Sequence, residues 1–173
     1  MKSDRQTIFS ADRIYRYQLW RDWTEDALEL EERDGNNSAK AVLFIGLNPS
    51  TADETKDDPT IRRCIGFAKS WGYGSLCMAN LFAFRATLPK DMMAAKDPIG
   101  PQNDHFLKHL AKDASLIVCA WGRGGSFAGR GIAVCAMLRE SGVPIHHLGL
   151  NSDWSPKHPL YLASSTQPEP YAL

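Results

Sequence analysis

Three short apolar runs constrain this chain more than any other feature. Ala41-Val42-Leu43-Phe44-Ile45-Gly46-Leu47, Ser75-Leu76-Cys77-Met78-Ala79 and Leu116-Ile117-Val118-Cys119-Ala120 are continuous rather than alternating, and each gives way at once to polar or glycine-containing sequence. A strand that buries one face alternates apolar with polar residues. A strand covered on both faces has no solvated side, so it reads as an unbroken apolar run. Segments of helical periodicity lie between these runs. Pro59-Thr60 opens one that extends to about Trp71, with Ile61, Cys64, Ile65 and Ala68 on one face and Arg62, Arg63 and Lys69 elsewhere. Proline is tolerated at a helix start because the N–H it lacks has no intrahelical acceptor there. Gly72 and Gly74 stop the helix. Further helices are expected from Pro89, from Pro101 to Lys112, and from Gly129 to Ser141 with Ile132, Cys135, Ala136 and Leu138 inward. Val143 to Leu148 reads as a fourth buried strand. Strands that alternate with helices specify an α/β fold. The expected form is a three-layer α/β/α sandwich around a mainly four-stranded parallel sheet.

The N-terminal segment follows a different pattern. Within Ile8 to Trp23, Tyr15, Tyr17 and Leu19 alternate with Arg16 and Gln18, which predicts an antiparallel ribbon turning at Ser10-Ala11-Asp12-Arg13. Glu29 to Lys40 is polar, contains Gly35-Asn36-Asn37 and reads as a loop. There is no internal repeat, and residues 1–173 are read as one domain.

Charge and cysteine usage exclude several classes. The chain carries 20 Lys+Arg and 20 Asp+Glu, a formal net charge of zero. Proteins held on nucleic acid by bulk electrostatics are basic, so any polymer contact here must come from a local patch. No apolar run approaches the roughly 18 residues of a membrane span, and the N-terminus lacks the apolar core of a signal peptide. A cytoplasmic protein without a membrane partner is expected. Cys64, Cys77, Cys119 and Cys135 show no CxxC spacing and are expected to be reduced core thiols. Neither a metal nor another cofactor is expected. Asp53-Glu54 and Asp57-Asp58 read as a solvated acidic loop, with a cation site as the alternative.

In open α/β sheets, ligands bind beyond the carboxyl ends of the strands. The candidates there are Gly46-Leu47-Asn48-Pro49-Ser50 after the first run, Asn80 after the second and Trp121-Gly122-Arg123-Gly124-Gly125 after the third, with His158-Pro159 following the fourth strand. Each also has a bland reading. Asn48 before a proline shapes turns, Asn80 closes a strand, Trp121 fills a core and His158 decorates a surface. The glycines do not form a dinucleotide loop, because GxGxxG would need glycine at Phe127, and a P-loop would need Lys-Ser/Thr. No Gly-x-Ser-x-Gly elbow is present either.

Taken in order, these pieces resemble the uracil-DNA glycosylase superfamily. Gly46-Leu47-Asn48-Pro49 resembles its first motif, Asn80 its strand-end base-reading asparagine, Trp121-Gly122 its Trp-Gly, and His158-Pro159-Leu160-Tyr161-Leu162 its late His-Pro motif. Ser50 stands where that first motif continues with glycine, and Leu160-Tyr161 where the late motif has Ser-Pro. The cysteines of the iron–sulfur branch are missing. Over residues 9 to 162 the chain more closely resembles the bacterial and phage family called domain of unknown function 1643, through GLNPSTAD, DDPTIRRC, NLFAFRAT, DPIGPQND and HPLYL.

The glycosylase resemblance implies cleavage or recognition of an N-glycosidically linked nucleobase. It assigns catalysis to Asn48, which orients a water, and to His158, which donates to base O2. It assigns substrate binding to Gly46, Leu47, Pro49, Asn80, Trp121, Arg123 and Leu162, with Asn80 on the Watson–Crick edge. Arg62, Arg63, Arg123, Arg130 and Lys157 are the candidate phosphate contacts. The implied partner is a nucleobase-containing substrate, DNA among the candidates. A nucleoside- or nucleotide-level enzyme, or a non-catalytic base-recognition or partner-binding domain, are the alternatives on the same scaffold.

Overall fold

The computed structural model describes residues 5–24 and 41–172, so the loop expected over Glu29 to Lys40 falls outside the described residues. The apolar runs form β3 (Ala41–Gly46), β4 (Ser75–Asn80) and β5 (Leu116–Cys119). β3 pairs in parallel with β4 from Ala41↔Ser75 to Gly46↔Asn80, and along its other side with β5 from Val42↔Leu116 to Ile45↔Cys119. β6 (Ile145–His147) runs parallel to β5. β1 (Thr7–Phe9) and β2 (Arg16–Asp22) form the antiparallel N-terminal ribbon, and β2 then pairs antiparallel with β4. β7 (Glu169–Pro170), not anticipated from sequence, closes the other edge against β6. The result is an α/β fold with a mixed seven-stranded sheet in the order β1-β2-β4-β3-β5-β6-β7.

The unbroken apolar runs have the expected cause. Leu43, Ile45, Cys77, Ala79, Ile117 and Cys119 pack into a cluster with α3 (Asn103–Asp113) and α4 (Arg130–Arg139). Their neighbours Val42, Phe44, Leu76, Met78, Leu116 and Val118 pack into a second cluster with α1 (Pro59–Ser70). Successive side chains thus enter opposite cores, and each large aliphatic or aromatic side chain so buried stabilises the fold by about 1.5–3 kcal/mol. A short helix, α2 (Pro89–Met93), contributes Met92 to the first cluster. All four cysteines are free and buried.

One expectation fails, the inward face of α4, and two other segments are refined. Arg16 and Gln18 are buried, because β2 is covered on both sides where it joins β4 and does not stand as a half-solvated ribbon. The inner face of α4 is Gly131, Val134, Cys135 and Leu138; Ile132 is 76% exposed and Ala136 is exposed. The helix packs with its i, i+3, i+4, i+7 positions counted from Gly131, where a side chain would strike the Gly125 carbonyl at 2.9 Å. The acidic segment is a loop with Glu54 to Lys56 exposed, and it is tied down by ion pairs and a helix cap. Arg21 pairs with Asp57 at 2.8 Å, Arg13 pairs with Glu54 at 3.0 Å, and Asp58 caps α1 by accepting from the Ile61 N–H at 2.9 Å. Among the described residues, no group of three or more His, Cys, Asp or Glu is placed to hold a metal.

Candidate functional site

The strand order places β3 between β4 and β5, so the chain turns to opposite sides after β3 and after β5. A crevice opens at the carboxyl ends of such strands. Here it is a cavity of about 440 Å³ lined by Gly46, Leu47, Asn48, Asn80, Trp121 and His158. Six of the nine proposed site residues, from four separate segments, therefore share one wall. Pro49, Arg123 and Leu162 do not line it. Pro49 is buried and its carbonyl accepts from Ala86 N at 2.9 Å, so it shapes the turn that carries Asn48. Arg123 points away, bonding Ser152 at 3.1 Å beside Asp153. Leu162 packs on the α1-side core, and Leu160 takes the cavity position instead.

The backbone beyond β3 is zipped to that beyond β4. Leu81 N donates to Gly46 O at 2.9 Å, Phe82 N to Leu47 O at 3.0 Å and Ala86 N to Pro49 O at 2.9 Å. The Asn48 amide joins this seam: its Nδ2 donates to Ala86 O at 2.8 Å and Pro49 O at 3.1 Å. Both amide hydrogens are thereby committed, which fixes the orientation of the side chain and leaves Oδ1 as a free acceptor.

Asn80 is 4% exposed, and its Oδ1 is buried without a hydrogen-bond partner. A buried amide oxygen left unpaired costs about 1–3 kcal/mol, so its place in a cavity wall marks it as a group awaiting a donor. Gly46 makes the position possible: a Cβ there would lie 2.8 Å from Asn80 Nδ2. The backbone behind Asn80 is held by a residue the sequence reading did not single out. Asn103, fully buried on α3, donates from Nδ2 to Asn80 O at 2.9 Å and Leu81 O at 3.0 Å. Arg130 adds a bond from Nε to Leu81 O at 2.8 Å and pairs with Asp104. It is 5% exposed and braces the strand end, which removes it from the phosphate contacts.

His158 sits at the cavity mouth, and its Nδ1 accepts from Leu160 N at 3.2 Å. The neutral ring consequently carries its proton on Nε2, a donor. Partial burial against the wall lowers its pKa, and the Asp58 carboxylate opposes that shift. Trp121 is 3% exposed, and its indole packs under Gly125, where a Cβ would meet its ring at 2.2 Å. Gly124 packs on Leu47, where a Cβ would meet the side chain at 2.7 Å. The glycines after β5 thus serve close packing, which is why they match no phosphate-loop spacing.

The cavity also contains groups that the sequence reading missed, chiefly Arg16 from β2 and Asp58 and Thr60 at the start of α1. Asp58 directly before Pro59 is an N-cap signal and was legible as such. Arg16 left no signal of its own, because its alternation with Tyr15 and Tyr17 indicates only a strand.

The family model described as Protein of unknown function (DUF1643) matches residues 16–160. The chain belongs to the DUF1643 family. No curated protein and no solved structure matches it. The DUF1643 match begins at Arg16 and ends at Leu160, and both residues line the cavity. No helix among the described residues is long and apolar enough to cross a membrane.

Proposed function

We propose that the cavity binds a nucleobase and hydrolyses its N-glycosidic bond, on a single three-layer α/β/α domain of uracil-DNA glycosylase type. The observation that carries this reading is the set of unpaired atoms on residues that line one cavity: an acceptor on Asn48, a buried acceptor on Asn80 and a donor on His158. Hydrolysis of this bond develops positive charge on the sugar and negative charge on the departing base. Asn48 Oδ1 accepts a hydrogen bond from the attacking water and so aims its oxygen at C1′. Water oxygen bonds to C1′, the bond to the base nitrogen breaks with its electron pair leaving on the base, the water's surplus proton passes to solvent, and the base anion takes a proton from solvent. His158 Nε2–H donates to the base carbonyl where that charge collects, an oxyanion-type role. Asn80 meets the Watson–Crick edge. The zero net charge favours nucleoside- or nucleotide-level substrates over a polymer, and a non-catalytic base-recognition domain is the reading left if no bond is cleaved.

The test is base release, measured chromatographically from nucleosides and nucleotides and as abasic-site formation on oligonucleotides carrying varied bases. Asn48→Ala and His158→Ala are each expected to lower turnover about 10²-fold or more. Because Asn48→Ala also loses the bonds to Ala86 O and Pro49 O and His158→Ala the bond from Leu160 N, turnover is compared per folded protein at a temperature below each variant's melt. Turnover that survives both substitutions removes this mechanism. Binding of bases without release by the unmodified protein selects the recognition domain.

A further inference from the structure

Arg16 is the one guanidinium in the cavity wall, and it is 2% exposed. Its Nη1 donates to Ala52 O at 2.8 Å, and among the described residues its buried Nε has no partner and Nη2 makes no bond. Buried charges in proteins are normally paired, because desolvation without a counter-charge is costly. Arg21 shows the ordinary solution, with Asp57 at 2.8 Å. Arg16 has no such carboxylate among the described residues.

The surroundings sharpen the contrast. Burial lowers the Arg16 pKa to about 10; the Asp58 charge opposes this, while Arg85 and Arg21 add to it. Asp58, the one carboxylate in the cavity wall, is already held by the Ile61 N–H at the start of α1. The free part of Arg16 is its Nε/Nη2 edge, two parallel N–H donors on a planar fork. That edge takes a carboxylate or phosphate in a bidentate pair. Asn80 Oδ1 is a second unpartnered atom in the same cavity, on the strand next to β2. The two demand different things of one ligand: a polar donor at Asn80 and an anion at Arg16.

We infer that the ligand is a free nucleoside monophosphate, with its base at Asn80 and its terminal phosphate against the Nε/Nη2 edge of Arg16. This rests on the nucleobase reading above and narrows it. The cavity volume of about 440 Å³ falls within the range of small-molecule sites, roughly 300–1,000 Å³. A terminal phosphate can be inserted against a side chain that is 2% exposed, whereas a diester must continue outward in both directions. The neutral chain offers a polymer no compensating attraction. Coupled to hydrolysis, the products are a pentose phosphate and a free base.

Calorimetric titration at fixed ionic strength tests this, using uridine, uridine 5′-monophosphate, guanosine, guanosine 5′-monophosphate, inorganic phosphate and a short single-stranded oligonucleotide. At least one monophosphate is expected to bind about tenfold or more tightly than its nucleoside, since a hydrogen-bonded charge pair contributes that much. Arg16→Gln should erase the difference. Arg16→Lys keeps the buried charge but loses the bidentate edge, so it should reduce the difference and serves where Arg16→Gln fails to fold. Equal binding of nucleoside and monophosphate overturns the inference and leaves the nucleobase reading standing. Failure of nucleosides and nucleotides alike to bind overturns both. An oligonucleotide that binds more tightly than any monophosphate, in an Arg16-dependent way, assigns the phosphate to a polymer and overturns the free nucleotide. A phosphate preference that survives both variants places the anion elsewhere and overturns it too.

Discussion

At the scale of the residue, the decisive question is what a carboxamide can offer. Asn80 presents one acceptor and two donors, and its oxygen is unpaired in the cavity wall. An amide held in one orientation meets N3–H and O4 of uracil together but opposes the reversed pattern of cytosine. Asn80→Asp replaces the donor with a second acceptor. It is expected to weaken uracil-type ligands and relatively favour cytosine-type ones, by about ten- to a hundredfold in the ratio of affinities. Gly46→Ala tests the same contact from behind. Its Cβ would lie 2.8 Å from Asn80 Nδ2, so the amide must swing away, and base discrimination should fall while Tm changes little. Unchanged preference in both variants would return Asn80 to the role of strand-end cap. Asn48, Asn80 and His158 were legible because each follows a recognisable apolar strand or carries a motif. Arg16 was not, since a sequence cannot show that the strand holding it is covered on both faces.

At the scale of the element, the connections after the strands decide what the strands can present. The 3-10 turn over Arg123–Gly129 was not foreseen, because glycine spacing alone does not say which side chain the backbone must approach. The structure supplies that side chain: Trp121. A Cβ on Gly125 would sit 2.2 Å from the indole, which is itself 3% exposed. Overpacking of this kind costs about 1–3 kcal/mol, so Gly125→Ala should lower the midpoint of chemical unfolding by a corresponding amount. An unchanged midpoint would show that the turn relaxes freely. The segment after β6 carries a second local device. His147 Nδ1 accepts from Gly149 N at 2.9 Å, as His158 Nδ1 accepts from Leu160 N at 3.2 Å. Protonation turns each acceptor into a donor and breaks the turn. Burial lowers both pKa values below the ordinary 6.5; for His147 the charge of Glu169 opposes the shift and His146 adds to it. With the folded-state values depressed, the unfolded chain binds protons first. Stability is therefore intact above pH 6.5 and lost as pH falls through the two folded-state values. Thermal melts from pH 7.5 to pH 5 should show Tm falling, with the slope reduced in His147→Gln and His158→Gln. A Tm that rises over this interval would contradict the assignment of Nδ1 as acceptor.

At the scale of the whole molecule, the α/β class and the parallel pairing of the apolar runs follow from the missing alternation in those runs. The antiparallel strands at either edge were only half legible: a ribbon was expected, its fusion to β4 was not, and β7 has two residues. Pairing between distant segments leaves no local period for short strands to display. Charge distribution is the whole-molecule property that bears most directly on function, and the structure reduces what sequence counting allowed. Of the five basic residues considered for phosphate contact, Arg130 is buried and bound to Leu81 O and Asp104. Arg123 leans on Ser152 and Asp153, Arg62 donates to Asp57 O, and Arg63 lies over the Phe67 ring. Even if Arg62, Arg63, Arg123 and Lys157 all met phosphates, each would contribute about −0.9 to the slope of log K against log salt for duplex DNA. These four residues together then contribute at most about −4 to the slope. Arg16 cannot add to it, because a cavity wall does not meet a duplex backbone. A free monophosphate as ligand sharpens the expectation further: its affinity should fall with salt by the share of a single charge pair, and oligonucleotides should bind weakly at every salt concentration. Fluorescence anisotropy of labelled duplex and single-stranded oligonucleotides between 50 and 200 mM salt, roughly the interval over which multi-contact binders lose most of their affinity, measures both. A slope well beyond about −4 would require phosphate contacts from basic residues other than these four, and would move the ligand from the cavity to the surface that carries them.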